Sequence, residues 1–190
     1  MHSGKSRTPV YVAERLNKKT LLDAQGNRRA DHFFAETRIP QSERAELEDY
    51  QGSGFDKGHM APAADMATDE SMAQSFSLAN IVPQYPVNNR KLWAKIEKDT
   101  RKYIERAVGD VYVITGPVFE PIPPTIGPNK VWVPQHLFKL VYDTTTDRAW
   151  VHWLDNTDEA RVGKPISYEE LVRRTGIEFL PGLRRQHVLF

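Results

Sequence analysis

The sequence predicts an α+β fold, a single domain in which an antiparallel β-sheet is flanked by helices, and three observations predict it. Three runs dense in β-branched and aromatic residues, VYVITGPVF, VWVPQHLFKLVYD and AWVHWLDN, follow one another late in the chain, with the turn DTTTDR between the last two. Consecutive strands joined by a hairpin have this pattern. Strand-like and helix-like segments do not alternate regularly, which argues against a doubly wound parallel sheet. The chain has 190 residues, 39% of them hydrophobic, enough for one sizeable core, so residues 1–190 are read as one domain.

Taken in order, TPVYVAERL spaces Val10, Val12 and Leu16 as an early strand that runs into the polar turn NKKT and then DAQGNRR. The charged stretch from Arg29 to Phe55 reads mainly as a long ordered connection, with a short helix over Ser42 to Tyr50 capped by Gln41 or Ser42 and broken by Gly52 and Gly54. A connection of that length is uncommon unless functional. DESMAQSFSLA, Asp69 to Ala79, has an acidic first turn and places Met72, Phe76 and Ala79 at helical spacing, and the prolines of NIVPQYPV stop it. NNRKLWAKIEKDTRKYIERAVGD is the strongest helix, with an Asn cap at its start, Gly109 at its end, and Leu92, Ile96, Tyr103 and Ala107 near one stripe. After the three strands, SYEELVRRTG forms a short last helix in which Ser167 and Glu170 have capping-box spacing.

Charge nearly cancels over the whole chain, 26 Lys and Arg against 25 Asp and Glu, so no partner follows from net charge. Locally it does not cancel: Asn88 to Ala107 carries seven cations against three carboxylates, a basic stripe suited to a phosphate backbone. The chain has no cysteine, which excludes disulfides, thiolate zinc sites and cysteine nucleophiles. The opening MHSGKSRTPVYVAERL has no apolar core of signal-peptide length, and no stretch approaches the ~18 apolar residues of a spanning helix. No membrane partner is expected.

Two constellations carry chemistry. In SGFDKGHMAPAAD, glycines at 52, 54 and 58 let the backbone bend beside His59, and Pro62 fixes the exit. A histidine held there is positioned for general-base work near neutral pH. On the long helix Asn89, Trp93, Glu97 and Arg101 recur at intervals of four. An amide oxygen at Asn89 and a carboxylate at Glu97, about 12 Å apart at the backbone by the ~1.5 Å rise, are hard donors for a hydrated Mg²⁺.

DYQGSGFDKGHMAPAADM followed by SLANIVPQYPVNNRKLWAKIEKDTR resembles the DNA/RNA non-specific endonucleases, the ββα-metal or His-Me finger nucleases. Their signature is Asp-Arg-Gly-His ahead of Ala-Pro, then Asn-Ile-x-Pro-Gln, then Asn-x-x-x-Trp-x-x-hydrophobic-Glu, and the likeness runs from about Thr8 to Leu183. The resemblance implies a ββα-metal finger site and a Mg²⁺-dependent endonuclease, with Mn²⁺ as a substitute ion. It would hydrolyse phosphodiester bonds in DNA and RNA to leave 5′-phosphate ends. His59 would activate the attacking water, Asn89 would bind a single, mostly water-coordinated metal, and Glu97 would orient metal waters. Lys57 and Arg101 would contact phosphate, and Asp56 and Asn80 would hold the motif loop and the metal helix together. Lys57 departs from the family's usual Arg and lacks its planar fork. The resemblance further implies DNA and RNA as partners, a homodimer, a proteinaceous inhibitor if the chain is a toxin nuclease, and an exported enzyme whose leader is missing. A non-catalytic nucleic-acid-binding protein on the same fold is the alternative.

Overall fold

The computed structural model describes residues 1–182; Leu183, where the resemblance ends, and the last stretch of the expected domain lie outside them. A short hairpin, β1 (His2–Ser3) with β2 (Thr8–Pro9), precedes β3 (Val12–Leu16). The expected first strand is therefore split between β2 and β3. Where a polar turn is expected the chain forms helix α1 (Lys18–Gln25). Asn17 and Thr20 cap it reciprocally: the Thr20 amide donates to Asn17 Oδ1 at 3.0 Å and the Asn17 amide to Thr20 Oγ1 at 3.0 Å. Leu21 and Ala24, three apart, bury one face. In this segment capping and a narrow apolar face outweigh turn-like composition.

Between residues 26 and 55 the connection is largely irregular, as expected, but the predicted helix over Ser42 to Tyr50 resolves into a 3₁₀ turn at Gln41–Glu43 and a single turn, α2 (Leu47–Tyr50). β4 (Asp56–His59) follows, then α3 (Asp69–Gln74). Helix α3 stops short of Ala79 because Phe34 and Ser77 form a bridge and Leu78–Asn80 tighten into a 3₁₀ turn. Met72 and Phe76 are buried, as the spacing predicts. NIVPQ is a strand as well as a stop: β5 (Ile81–Gln84) pairs antiparallel with β4, Asp56 opposite Gln84 and His59 opposite Ile81. Pro83 is accommodated because the ribbon has two strands and so each strand has an open edge.

The long helix begins with a π-helical stretch, Asn88–Trp93, and continues as α4 (Ala94–Ile104). The wider π turn shifts the facing of every residue after it. Its buried line is Trp93, Ile96, Thr100 and Ile104, in place of the predicted stripe, of which Leu92, Tyr103 and Ala107 lie at the margin. The predicted strands appear as β6 (Val111–Val118), β9 (His136–Asp143) and β10 (Arg148–Asp155), but the second run, VWVPQHLFKLVYD, is split: its first residues form β8 (Val131–Trp132), which pairs with β7 (Thr125–Ile126) in a separate small ladder, and Pro134 lies in the break before β9. Helix α5 (Tyr168–Thr175) is capped by Ser167 Oγ, which accepts from the Glu170 amide at 3.1 Å. The Glu170 side chain does not close the box; it takes Arg173 and Arg174 instead.

The principal sheet is antiparallel in the order β10-β9-β6-β3. Its central strand β9 is covered on both faces. Leu137 and Val141 point to the side of α4, with Trp93, Ile96 and Ile104, while Phe138 and Leu140 pack with Leu171 and Phe179 on the α5 side. The β4–β5 ribbon is fastened to the α4 side through Met60 and Val82, both fully buried against Trp93. The core thereby fixes ribbon, helix and sheet as one body, and burying Trp93 alone removes one of the largest apolar surfaces in the chain from water.

Gly58 sits in the middle of this ribbon, and a Cβ built there would lie 2.2 Å from Gln84 Oε1 and 2.8 Å from Gln84 Cβ. Gln84 is fully buried and cannot swing away. Gly58→Ala is expected to destabilise the fold by about 1–3 kcal/mol through overpacking, read as a lower urea midpoint with an unchanged slope; an unchanged midpoint would show that the ribbon can open without cost.

Candidate active site

His59 is the last residue of β4 and is 9% exposed. Its ring lies 4.7 Å from Phe76 and 5.5 Å from Phe33, centroid to centroid. Among the described residues Nε2 is buried without a hydrogen-bond partner. Burial, and then the charge of Arg29, lower its pKa to about 4, so the imidazole is neutral at physiological pH. The loop after it is held by Asn80: Oδ1 accepts from the Ala61 amide, and Nδ2 donates to the Ala61 and Ser75 carbonyls, each at 2.9 Å. Asn80 thus ties the loop to the end of α3, not to the long helix as expected.

The joint between strand and helix is made by Asp56. One carboxylate oxygen accepts from Asn89 Nδ2 at 2.9 Å and Arg90 Nε at 2.8 Å, and the other accepts from Arg90 Nη2 at 2.7 Å. Burial works to raise the Asp56 carboxyl, but hydrogen bonds from Arg90 and Asn89 and the charges of Arg90 and Lys57 bring it below the ordinary range. Because Asn89 spends its amide N–H on Asp56, its Oδ1 is the atom left to accept. The backbone seats the same residue, since the Asn89 amide donates to the Tyr85 carbonyl at 2.9 Å.

Glu97 is half-buried two turns further on, and burial pushes its carboxyl up to about 7 against the pull of Lys139, Arg101 and Arg29. Arg101 donates to Asp65 at 3.0 Å; Asp65 is 7% exposed and Arg101 is half-buried. Glu14 stands beside Asp65, and burial first, then the Asp65 charge, raises it well above the usual carboxylate range. The predicted row of Asn89, Trp93, Glu97 and Arg101 is interrupted, since Trp93 is fully buried. Lys57 lies over two rings, its Nζ 5.0 Å from the centroid of Phe33 and 5.9 Å from that of Tyr50, a fixed placement for a flexible cation.

Sequence reasoning passed over three contributors. Arg29 reaches the site from the irregular connection, its guanidinium 5.3 Å from the Phe76 ring, and nothing in GNRR distinguishes it. It joins Lys98, Arg101 and Lys102 in lining a cleft of about 540 Å³ between α1 and α4. Asp65 reads as a turn residue. Lys139 interrupts the apolar run HLFKLV, a break in pattern that was visible. Among the described residues no group of three or more His, Cys, Asp or Glu is arranged to hold a metal ion. The donors at hand, the free Asn89 oxygen and the Glu97 carboxylate, suit a hard cation that keeps most of its waters.

This arrangement matches known proteins over nearly its whole length. The model of the DNA/RNA non-specific endonuclease family matches residues 1–186. The mitochondrial nuclease EXOG of Danio rerio is 34% identical over 96% of this chain and 58% of its own. The mitochondrial Nuclease 1 of Schizosaccharomyces pombe is 36% identical over 72% and 46%, and the mitochondrial endonuclease G of Homo sapiens 33% identical over 94% and 66%. The chain thus spans about half to two thirds of the length of these relatives. A crystal structure of the EndoG/EndoGI complex, which concerns the mechanism of EndoG inhibition, contains a chain that superposes with a TM-score of 0.83 at 25% identity, covering 94% of this chain and 80% of that one. The expected export is corrected by these relatives, which are named mitochondrial and not secreted. The mixed α and antiparallel β architecture and the motifs read from Asp56 to Glu97 have their explanation in one statement: the chain belongs to the DNA/RNA non-specific endonuclease family.

Proposed function

We propose that the chain is a metal-dependent endonuclease that hydrolyses phosphodiester bonds of DNA and RNA and leaves 5′-phosphate ends. The observation that carries this reading is the Asp56 bridge, which couples the strand bearing His59 to the helix bearing Asn89 and Glu97. In this reading neutral His59 takes the proton of the attacking water as general base. Arg29, Arg101 and Lys57 bind phosphate oxygens, and Asn89 Oδ1 and Glu97 are the groups that would hold a Mg²⁺ ion, with Mn²⁺ as a substitute. When bound, that ion supplies Lewis-acid stabilisation of the charge that builds on phosphate and on the departing oxygen. Asp56 turns the Asn89 oxygen outward and so selects the donor. None of these groups reads a base edge, which supports weak sequence preference and activity on both sugars.

The low pKa of His59 fits the same scheme. A base near 4 is weak, but the approach of a phosphate anion favours the imidazolium and raises it toward neutrality, so basicity arrives with the substrate. The similarity to an EndoG chain solved with EndoGI supports a proteinaceous inhibitor as a further partner, and the relatives' names support a mitochondrial setting. Residues 1–190 acting as a single nuclease domain, and a homodimer, belong to the same proposal.

His59→Ala is expected to lose several orders of magnitude in plasmid and RNA digestion in Mg²⁺ while binding is kept, and undiminished digestion would remove His59 from the reaction. A salt-sensitive gel shift by the wild type, without any cleavage that EDTA abolishes, would favour the binding-protein alternative. At Lys57, Arg is expected to be tolerated and Ala to be poor, with equal rates for all three excluding phosphate contact. The shift of His59 from 6.5 to about 4 also makes a stability prediction. The unfolded chain binds the extra proton between these values, so this contribution is complete above pH 6.5 and is lost as pH falls toward 4. In EDTA, wild type measured against His59→Gln should lose about 3 kcal/mol across that window; a pH-independent difference would mean that the ring is solvated.

A further inference from the structure

Lys139 lies at the centre of β9, between Leu137 and Val141 on the face turned to α4, and is 1% exposed. Its ammonium donates to Thr115 Oγ1 on the neighbouring strand at 2.7 Å and stands 5.3 Å from the centre of the Trp93 ring. Among the described residues it forms no ion pair within 4.0 Å. A buried cation with one hydroxyl and one aromatic face for company is a costly arrangement, and an apolar side chain of the same length would serve the core better. The charge therefore has another use.

That use is visible in what surrounds it. Trp93 is one turn before Glu97 on the helix, and Glu97, Asp65 and Glu14 all feel the Lys139 charge. Three acidic side chains thus share one electrostatic neighbourhood beneath the helix, Glu14 among them held toward its protonated form by burial. Arg101, the hydrogen-bonded partner of Asp65, approaches from the cleft side, and Lys139 is the cation that faces them from the sheet. Without it Glu97 would lose the cation that favours its charged form from beneath the helix, and Glu97 and the Asp65–Arg101 pair would be free to leave their present positions.

We propose that Lys139, anchored by Thr115, is a positioning residue for phosphodiester hydrolysis, holding Glu97 and the Asp65–Arg101 pair in their working orientation from beneath the helix. It touches neither substrate nor reacting atoms. The inference rests on the nuclease reading given above and extends it to a residue outside the three motifs.

The test compares wild type, Lys139→Met, Lys139→Arg and Thr115→Val in plasmid digestion over substrate and Mg²⁺ series, with melting temperatures and the folded fraction measured alongside. Lys139→Met is expected to melt at or above the wild-type temperature yet lose at least tenfold in kcat per folded molecule with KM within about twofold, and to need more Mg²⁺ for half-maximal rate. Lys139→Arg should recover much of that kcat, and Thr115→Val should lose threefold or more. Wild-type kcat in folded Lys139→Met overturns the proposal. If Lys139→Met does not fold, wild-type kcat in Thr115→Val overturns it, and a reduced kcat at unchanged KM supports it. Should the wild type itself fail to cleave, the nuclease reading falls and takes this one with it, whereas cleavage by wild type and Lys139→Met alike removes Lys139 alone.

Discussion

The three hydrogen bonds on Asp56 are the constraint on which the rest of the site depends. A carboxylate at the start of β4 accepts from two consecutive residues at the start of the long helix, and that single contact fixes the distance and rotation between two elements far apart in sequence. Apolar packing of Met60, Val82 and Trp93 holds the elements together, but it is non-directional and does not itself aim polar groups. A charged, bidentate bond to Arg90 has a preferred direction. Removing the carboxylate would leave the hydrophobic joint and lose the register of His59 against Asn89.

The π-helical stretch at Asn88–Trp93 is part of the same solution. In an uninterrupted α-helix Asn89 and Trp93 would share a face, so the residue held by Asp56 and the residue buried in the core would compete for one direction. One wide turn separates them. Trp93 enters the core completely, while Asn88, which is also fully buried, ties the start of the helix to the strand end through its amide, donating to the Asp155 carbonyl at 2.7 Å. Asn89 is left half-buried, with its side-chain N–H on Asp56. Local helical regularity is given up to place two adjacent functions, as is common where π turns occur.

Much of this was legible in the sequence, and the reasons for the remainder are physical. The strands β6, β9 and β10 stood out because burial on one or both faces demands apolar and β-branched residues in unbroken runs, and the joint occurrence of DKGH, NIVPQ and NxxxWxxIE pointed to the family to which the chain belongs. Helix α1 was hidden because its stability comes from one reciprocal cap and two buried side chains, a weak signal inside a lysine-rich stretch. Arg29 could not be found, since it reaches His59 through an irregular connection whose path no periodicity encodes. The stripe of α4 was misjudged by the phase shift that the π turn introduces, which backbone geometry produces and composition does not reveal.

The resting electrostatics of the site look inverted for catalysis and are consistent with it once loading is considered. His59 is held near 4 and Glu97 near 7, a base too weak and an acid too readily protonated. Both shifts have burial as their largest cause, and burial penalises whichever form is charged. On the reading proposed above, a polyanion beside Arg29 and His59 would raise the imidazole pKa, and a cation beside Asn89 and Glu97 would lower that of the carboxyl. The two ligands would therefore move the two pKa values in opposite directions, making the neutral imidazole a stronger base and keeping Glu97 ionised. Burial keeps both groups largely uncharged, which limits the cost of holding them in the interior. On the reading proposed above, reactivity is coupled to occupancy by desolvation alone, without any moving part.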